Sequence, residues 1–309
     1  MRETDSKVCE SMRSSVLITG AGPNGVTGRL LRERLEEEFD VISPSSKELD
    51  LTDDLSVGRF FADHHIDYVI HCATFRKSPN AAIHKVDEEL ESNLRMYYSL
   101  ASQSQHFKKM IYLGSGAEFD KRFPIVNANE EYFGKTIPAN KYGLAKYIMN
   151  VHCRQSSNIY NFRLFGTINK YESPNKNVVS NICVKAIFNM PIRLRQNCRF
   201  SFISIDDLVK YINYGISHVL SYHDYNIVMA QSYMLSEICE IVISLHGDGE
   251  FMFEHDGLNL EYTGSDERIS KEFPSIQRKG IEEAVEIVYQ HFKEHKSEII
   301  IDDIDKRWQ

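Results

Sequence analysis

Three side chains near the middle of the chain could move a proton together: the hydroxyl of Ser115, the phenol of Tyr142 and the ammonium of Lys146. Tyr142 and Lys146 stand four apart in Asn140-Lys141-Tyr142-Gly143-Leu144-Ala145-Lys146, so on a helix they share a face. A free phenol titrates at about 10, too high for efficient proton exchange at neutral pH. A neighbouring ammonium favours the phenolate and lowers that value. Ser115 follows the apolar run Lys109 to Leu113, which reads as a strand. It would stand at the carboxyl end of that strand, where open α/β sheets bind ligands. Ser115 could then hold a substrate oxygen while Tyr142 passes the proton. The Y-x-x-x-K spacing alone marks no more than a solvated helix face.

What must position these residues begins at Val16-Leu17-Ile18, a short buried strand followed at once by glycines. Gly22, Gly25 and Gly28 carry the spacing G-x-x-G-x-x-G, with Asn24 and Val26 in the same turn, and Leu30, Leu31 and Leu35 mark one side of a following helix. A helix N-terminus presents free N–H groups and partial positive charge, so this order predicts a phosphate cradle. Gly22 would permit the tight turn, Gly25 close approach of a pyrophosphate and Gly28 close helix–strand packing.

Phe39 to Ser43 reads as a second strand. A carboxylate there normally holds the adenosine ribose, yet Ser43, Ser45, Ser46 and Lys47 stand in its place and suit a 2′-phosphate better. Glu48 lies at about the sequence distance expected of the missing acid. Asp53 can cap a helix through about Asp63. Asp67 to Ala73 is a third strand, and its small end residues Cys72 and Ala73 would let a cofactor lie close. A loop bearing Thr74, Arg76 and Lys77 follows, then a long helix (86–105) containing Asn93. Alternating strands and helices with short connections predict a doubly wound parallel sheet.

The bulk numbers narrow the class. A chain of 309 residues with 42% apolar content suits one large α/β unit or two joined domains. The net charge of −8 argues against a nucleic-acid surface. Six scattered cysteines form no C-x-x-C pair, and twelve histidines form no H-E-x-x-H, so reduced thiols and no metal site are expected. The first fifteen residues are polar, and no apolar run approaches the ~20 residues of a spanning helix. A cytoplasmic protein without a membrane anchor is therefore expected.

Taken together, the residues resemble the extended short-chain dehydrogenase/reductase family, the NAD(P)-dependent nucleotide-sugar epimerases, dehydratases and reductases. The matching order is Thr19-Gly20 to Gly28, Asp50-Leu51-Thr52-Asp53, His71-Cys72-Ala73, Asn93, Ser115, Tyr142 with Lys146, Arg163-Leu164-Phe165-Gly166, and Arg199 before Asp206-Asp207. The glycine loop is two residues longer than the usual one. The resemblance implies a Rossmann-like sheet, with Ser115, Tyr142 and Lys146 as the catalytic triad. Lys146 would also hold the nicotinamide ribose, Asp50 and Leu51 would border the adenine, and Asn93 would support the active-site helix. Thr74 and Leu113 join the cofactor set. Arg76, Phe165, Lys170 and Arg199 join Ser115 as candidate substrate contacts, Arg199 at a position where family members bind the diphosphate.

The expected organisation is an extension (1–14), an NAD(P)-binding Rossmann domain (15–166, with 199–220 returning to it), a smaller C-terminal α/β substrate domain (167–198 and 221–297) and an acidic frayed tail (298–309). The expected activity is NADP(H)-dependent reduction at C4 of a nucleotide-diphosphate sugar, by a homodimer. A C4 epimerase holding NAD(H) tightly and a non-catalytic cofactor-binding regulator are the alternatives. Family dehydratases carry an Asp-Glu pair after the catalytic hydroxyl, where this chain has Gly116 and Ala117. Fucose-forming epimerase–reductases use a cysteine and a histidine at the positions of Ala117 and Ile168. Lacking those bases, the chain is expected neither to dehydrate nor to invert C3 or C5.

Overall fold

The computed structural model describes residues 13–22, 25–75, 88–301 and 304. The expected contacts Asn24 and Arg76 lie outside the described residues. The first strand, β1 (Ser15–Thr19), is buried along its whole length, and its centre Val16-Leu17-Ile18 is apolar because it is covered on both faces. Val16 and Ile18 enter one core and Leu17 another, as the two-residue period of a strand requires. There follow α1 (Val26–Leu35), β2 (Asp40–Ile42), α2 (Asp54–Asp63), β3 (Tyr68–His71), α3 (Glu88–Ala101) and β4 (Lys109–Ser115). Next come β5 (Ile125–Ala128), α4 (Lys141–Cys153), β6 (Ile159–Leu164), β7 (Gly166–Ile168), α5 (Val178–Ile187), β8 (Ile192–Asn197), β9 (Arg199–Ser204), α6 (Ile205–Ser217) and β10 (Asp224–Ile227). The chain closes with β11 (Ser232–Met234), α7 (Leu235–His246), β12 (Phe251–Leu258), β13 (Tyr262–Gly264), α8 (Glu267–Glu272) and α9 (Ile281–Glu294).

Six strands form a parallel sheet in the order β10-β6-β4-β3-β1-β2. The order reverses between β1 and β3, which creates a crevice at their carboxyl ends. One face packs Leu30, Leu31, Leu208 and Tyr211 of α1 and α6. The other packs Val57, Tyr97, Ala145 and Met149 of α2, α3 and α4. The doubly wound α/β sheet expected from the sequence is therefore present.

A second sheet runs β11-β9-β13-β5, with β7 on β9, and β8 pairs with β12 as a separate ribbon. Helices α5, α7 and α9 bury their apolar faces together in a core of their own. The sheets divide the chain differently from the expected organisation in two places. Strand β10, expected in the smaller unit, is the edge of the large sheet beside β6. Strand β9 builds the second sheet, and α6 alone of 199–220 returns to pack on α1. Ser204 caps α6, accepting from Asp207 N–H at 3.2 Å, so Asp206 and Asp207 occupy its first turn. Strands β5, β7, β12 and β13 are too short or too polar to stand out in the sequence.

The end of the chain also departs from expectation. Ile304 is 1% exposed in the core of the second unit, Ile299 packs beside it, and the Ile304 carbonyl accepts from Asn181 Nδ2 at 3.2 Å. Ile299 and Ile304 thus belong to that core, and the rest of the expected tail beyond Ile301 lies outside the described residues. Among the described residues no helix is long and apolar enough to cross a membrane. Ile304→Ala should lower the unfolding free energy by ~2 kcal/mol or more, the usual cost of truncating a buried isoleucine. Urea denaturation checks this: a change within about 0.5 kcal/mol would place Ile304 with surface positions instead.

Candidate active site

The carboxyl ends of β1 and β3 are drawn together by backbone geometry. Gly20 has φ +72°, and a Cβ there would stand 2.7 Å from Ala73 N and Cα. Gly20 thus brings the strand ends together, while the Gly22 carbonyl accepts from Gly25 N–H at 2.8 Å, closing the turn expected there, with open space around Gly22 itself. Thr19 Oγ1 lies 2.8 Å from His71 Nδ1 and accepts from Ala73 N–H at 3.3 Å, tying the two strand ends. Burial, and the ammonium of Lys146, push the His71 imidazole down to about 3, so it is neutral at physiological pH. Burial likewise pushes the Cys72 thiol up to about 12.

A Cβ on Gly28 would stand 2.5 Å from the Gly20 carbonyl oxygen, so Gly28 sets helix–turn packing as expected. Gly25 is constrained by the same carbonyl; its bareness is needed inside the turn. Helix α1 has no side-chain cap and no acid in its first turn. Its N-terminal dipole end, with Val26 at its start, suits a phosphate. Val26 O accepts from Asn169 Nδ2 at 3.4 Å, so the loop beyond β7 lies against this helix.

Beyond β2 the hydroxyl set is present, with a competitor in it. Ser45 and Ser46 are exposed, as is Lys47, and Ser43 is partly so. Glu48 folds back to accept from Ser45 N–H at 2.7 Å, and these bonds from Ser45 hold its carboxyl below the usual range. Asp50 accepts from the backbone N–H and hydroxyl of Thr52, while Leu51 is 8% exposed and belongs to the core. Asp53 caps α2 through Leu55 N–H. Asn93 is 1% exposed: it donates to the Phe75 carbonyl at 2.9 Å and accepts from Phe75 N–H at 3.0 Å. It anchors the start of the loop after β3 at Phe75, and Thr74 is exposed. The Leu113 side chain is likewise in the core.

Ser115 ends β4, between β3 and β6 at the centre of the sheet. It caps the 3₁₀ turn 116–119: its Oγ accepts from Ala117 N–H at 3.2 Å, and its own N–H donates to Glu118 Oε1 at 3.1 Å. Asn140 caps α4 by accepting from Gly143 N–H at 2.7 Å. A Cβ on Gly143 would stand 2.6 Å from Ala117 O, so the missing side chain lets α4 sit down on the Ser115 turn. That contact brings the first turn of α4, and Tyr142 with it, beside Ser115. One turn further on, Lys146 is 2% exposed, its Nζ 5.7 Å from the Tyr142 ring centroid and donating to the Leu113 carbonyl at 2.9 Å. The helix that bears Tyr142 and Lys146 thus meets the strand end that bears Ser115.

Of the expected substrate contacts, Phe165 packs on Tyr262 with ring centroids 5.0 Å apart, in space left by Gly116 and Gly264. Arg199 donates to the Ser232 carbonyl at 2.8 Å and lines a polar cavity of about 400 Å³ with Asn127, Gln231, Tyr233, Glu237 and Asp266. Gly264 lines that cavity as well, so Phe165 links it to the Ser115 turn. Lys170 lies over the Tyr171 ring at 4.9 Å, on the side of α1 and α9. Among the described residues no His, Cys, Asp or Glu cluster could hold a metal, and the described cysteines are free.

A set of charges beneath the site was not foreseen. Arg163 and Glu118 are both 0% exposed and paired at 3.0 Å, and Arg163 Nη2 donates to Asp224 Oδ2 at 2.8 Å. Arg154 and Arg268 reach the same aspartate. Burial alone would raise the Asp224 carboxyl, but the Arg163 and Arg154 guanidiniums more than offset it and hold it at about 2. Burial pushes the Glu118 carboxyl up against the pull of Arg163. Glu172, on the loop after β7, accepts from the Thr167 hydroxyl at 3.0 Å, and burial pushes its carboxyl up too.

The profile of the NAD dependent epimerase/dehydratase family matches residues 16–228, and the chain belongs to that family. A GDP-L-colitose synthase from Yersinia pseudotuberculosis is 22% identical over 308 residues, spanning 91% of this chain and 99% of the relative. Two solved structures share the fold. One is a GDP-mannoheptose C4 reductase from Campylobacter jejuni with NADP bound, at 18% identity and TM-score 0.77 over 91% of this chain and 98% of that one. The other is a GDP-L-fucose synthetase from Naegleria fowleri bound to NADP, at 17% identity and TM-score 0.78 over 96% and 98%.

The depressed Asp224 carboxyl has a measurable consequence. Its folded value lies below the unfolded 3.8, so its stabilisation is complete above about pH 4 and is lost as pH falls towards 2. Asp224→Asn should therefore flatten the acid limb of the stability–pH curve over that window. At neutral pH it should cost ~3–5 kcal/mol, because Arg163 loses a buried partner. Unfolding curves at pH 7, 4 and 3 check both.

Proposed function

We propose that the chain is an NADP(H)-dependent oxidoreductase that reduces the C4 keto group of a nucleotide-activated sugar. The observation that supports this is the seating of α4, which bears Tyr142 and Lys146, on the turn that Ser115 caps. The uncapped α1 N-terminus and the close-packed glycines fit a dinucleotide pyrophosphate, with Ser45, Ser46 and Lys47 toward the 2′-phosphate. The bound cofactor supplies a hydride to the carbonyl carbon. Ser115 holds the carbonyl oxygen, Tyr142 gives it the proton, and the Lys146 charge makes the phenol a better donor–acceptor at neutral pH. Arg199 and its cavity would take the diphosphate end of the substrate. All three relatives described above carry a GDP-linked sugar in their names, which makes GDP-linked 4-ketosugars the first substrates to offer.

One observation favours a second reading. The Glu48 carboxylate at the end of β2 could accept from ribose hydroxyls and would repel a 2′-phosphate. That suits an epimerase holding NAD(H).

In the favoured reading NADPH binds at least ~10-fold more tightly than NADH, about 1.4 kcal/mol. Fluorescence titration decides, and NADH binding equally well or better would support the epimerase. Tyr142→Phe should lower kcat by ~10²-fold or more with little change in cofactor affinity. Stopped assays on a panel of nucleotide-linked 4-ketosugars check this, and full activity would assign the proton to another group.

A further inference from the structure

Glu118 lies three residues beyond Ser115 and is 0% exposed, so it reaches no substrate. Its carboxylate is fully engaged. Oε1 accepts from Ser115 N–H at 3.1 Å and from Asn161 Nδ2 at 3.1 Å; Oε2 accepts from Arg163 Nε at 3.0 Å. Gly114 makes room for it, since a Cβ there would stand 2.6 Å from Glu118 Oε1. Behind it, the Arg163 fork is held by Asp224 Oδ2 and Asn226 Oδ1, both at 2.8 Å. Asp224 and Asn226 are in turn held by Arg268 and by the Glu130 carboxylate.

A buried ion pair is weak evidence for stability, because apolar residues of similar volume often do as well. What an apolar pair cannot do is impose direction. The planar fork of Arg163 fixes where the Glu118 carboxylate lies. Glu118 in turn completes the capping box that sets Ser115 at φ −150°, ψ 141° and shapes the turn on which α4 sits.

We propose that Glu118 is a positioning residue for the reaction, aiming the Ser115 hydroxyl through the Ser115 backbone, with Arg163 and Asp224 as the frame that orients it. The proposal rests on the reading of Ser115 as the group that holds the substrate oxygen.

The test is a double-mutant cycle of Glu118→Gln and Ser115→Ala, assayed with a GDP-linked 4-keto-6-deoxysugar and NADPH. Glu118→Gln should lower kcat by ~30-fold while the sugar KM moves less than about threefold, the pattern of an interaction expressed in the transition state. The primary isotope effect with 4-deuterated NADPH should rise, because hydride transfer becomes more limiting; a mere loss of folded enzyme would leave it unchanged. NADPH affinity should stay constant. In the Ser115→Ala background the same substitution should cost less than about twofold, since its effect passes through that hydroxyl. Losses that multiply fully across the cycle would overturn the proposal alone. Unchanged activity in Ser115→Ala would overturn the reading of the site, and the proposal with it. If Glu118→Gln does not fold at the assay temperature, Arg163→Lys enters the same cycle, because it keeps the buried charge and loses the fork.

Discussion

Arg163 heads the largest side chains that are fully buried, and β4, β6 and β10 meet around its guanidinium. A cation in that position is tolerable only with opposite charge and hydrogen bonds on every side, and Glu118, Asp224 and Asn226 supply them. Those partners come from two places in the chain, the 3₁₀ turn and the edge strand β10, so satisfying one buried charge on β6 fixes all three relative to one another. The turn then fixes α4 through Gly143, and α4 carries Tyr142 and Lys146. The candidate chemistry stands at the end of a chain of contacts that begins with an unusual burial.

The cofactor side of the crevice is built by a different means. There the constraint is steric: Gly20, Gly25 and Gly28 allow the first turn, the start of α1 and the end of β3 to approach within contact distance. No charged network is needed, because the helix N-terminus itself provides the attraction for an anion. Buried charge sets the proton-transfer end of the site, and bare backbone sets the phosphate end. The chain on either side of β7 touches both, with Phe165 before it against Gly116 and Asn169 after it on Val26.

The sequence made the large sheet and the Ser115, Tyr142 and Lys146 set legible, because those signals are local: apolar runs of strand length, glycines at fixed spacing, and a four-residue interval on one helix. It left the second sheet unread, since β5, β7 and β13 owe their existence to partners far along the chain. Expected contacts at Leu51, Asn93 and Leu113 fell on residues whose side chains are buried, because nearness along the chain to a ligand-binding end does not say which way a side chain points. The charge network did leave a trace. Asn161 and Arg163 stand two apart in one apolar strand, Asp224 and Asn226 two apart in another, and the register pairs them as Asp224 with Asn161 and Asn226 with Arg163. Polar residues alternating within two buried strands signal that the strands are neighbours, which places β10 in the large sheet.

The account holds that hydride delivery and protonation at one carbonyl are all this site does, with Glu118 locked beneath it and no base at Ala117 or Ile168. Product NMR after turnover of a 4-ketosugar with NADPH in D₂O tests this directly. The account predicts hydrogen from NADPH at C4 and no deuterium at C3 or C5 above the uncatalysed background. Deuterium at either carbon would contradict it and point to a base that the sequence did not reveal.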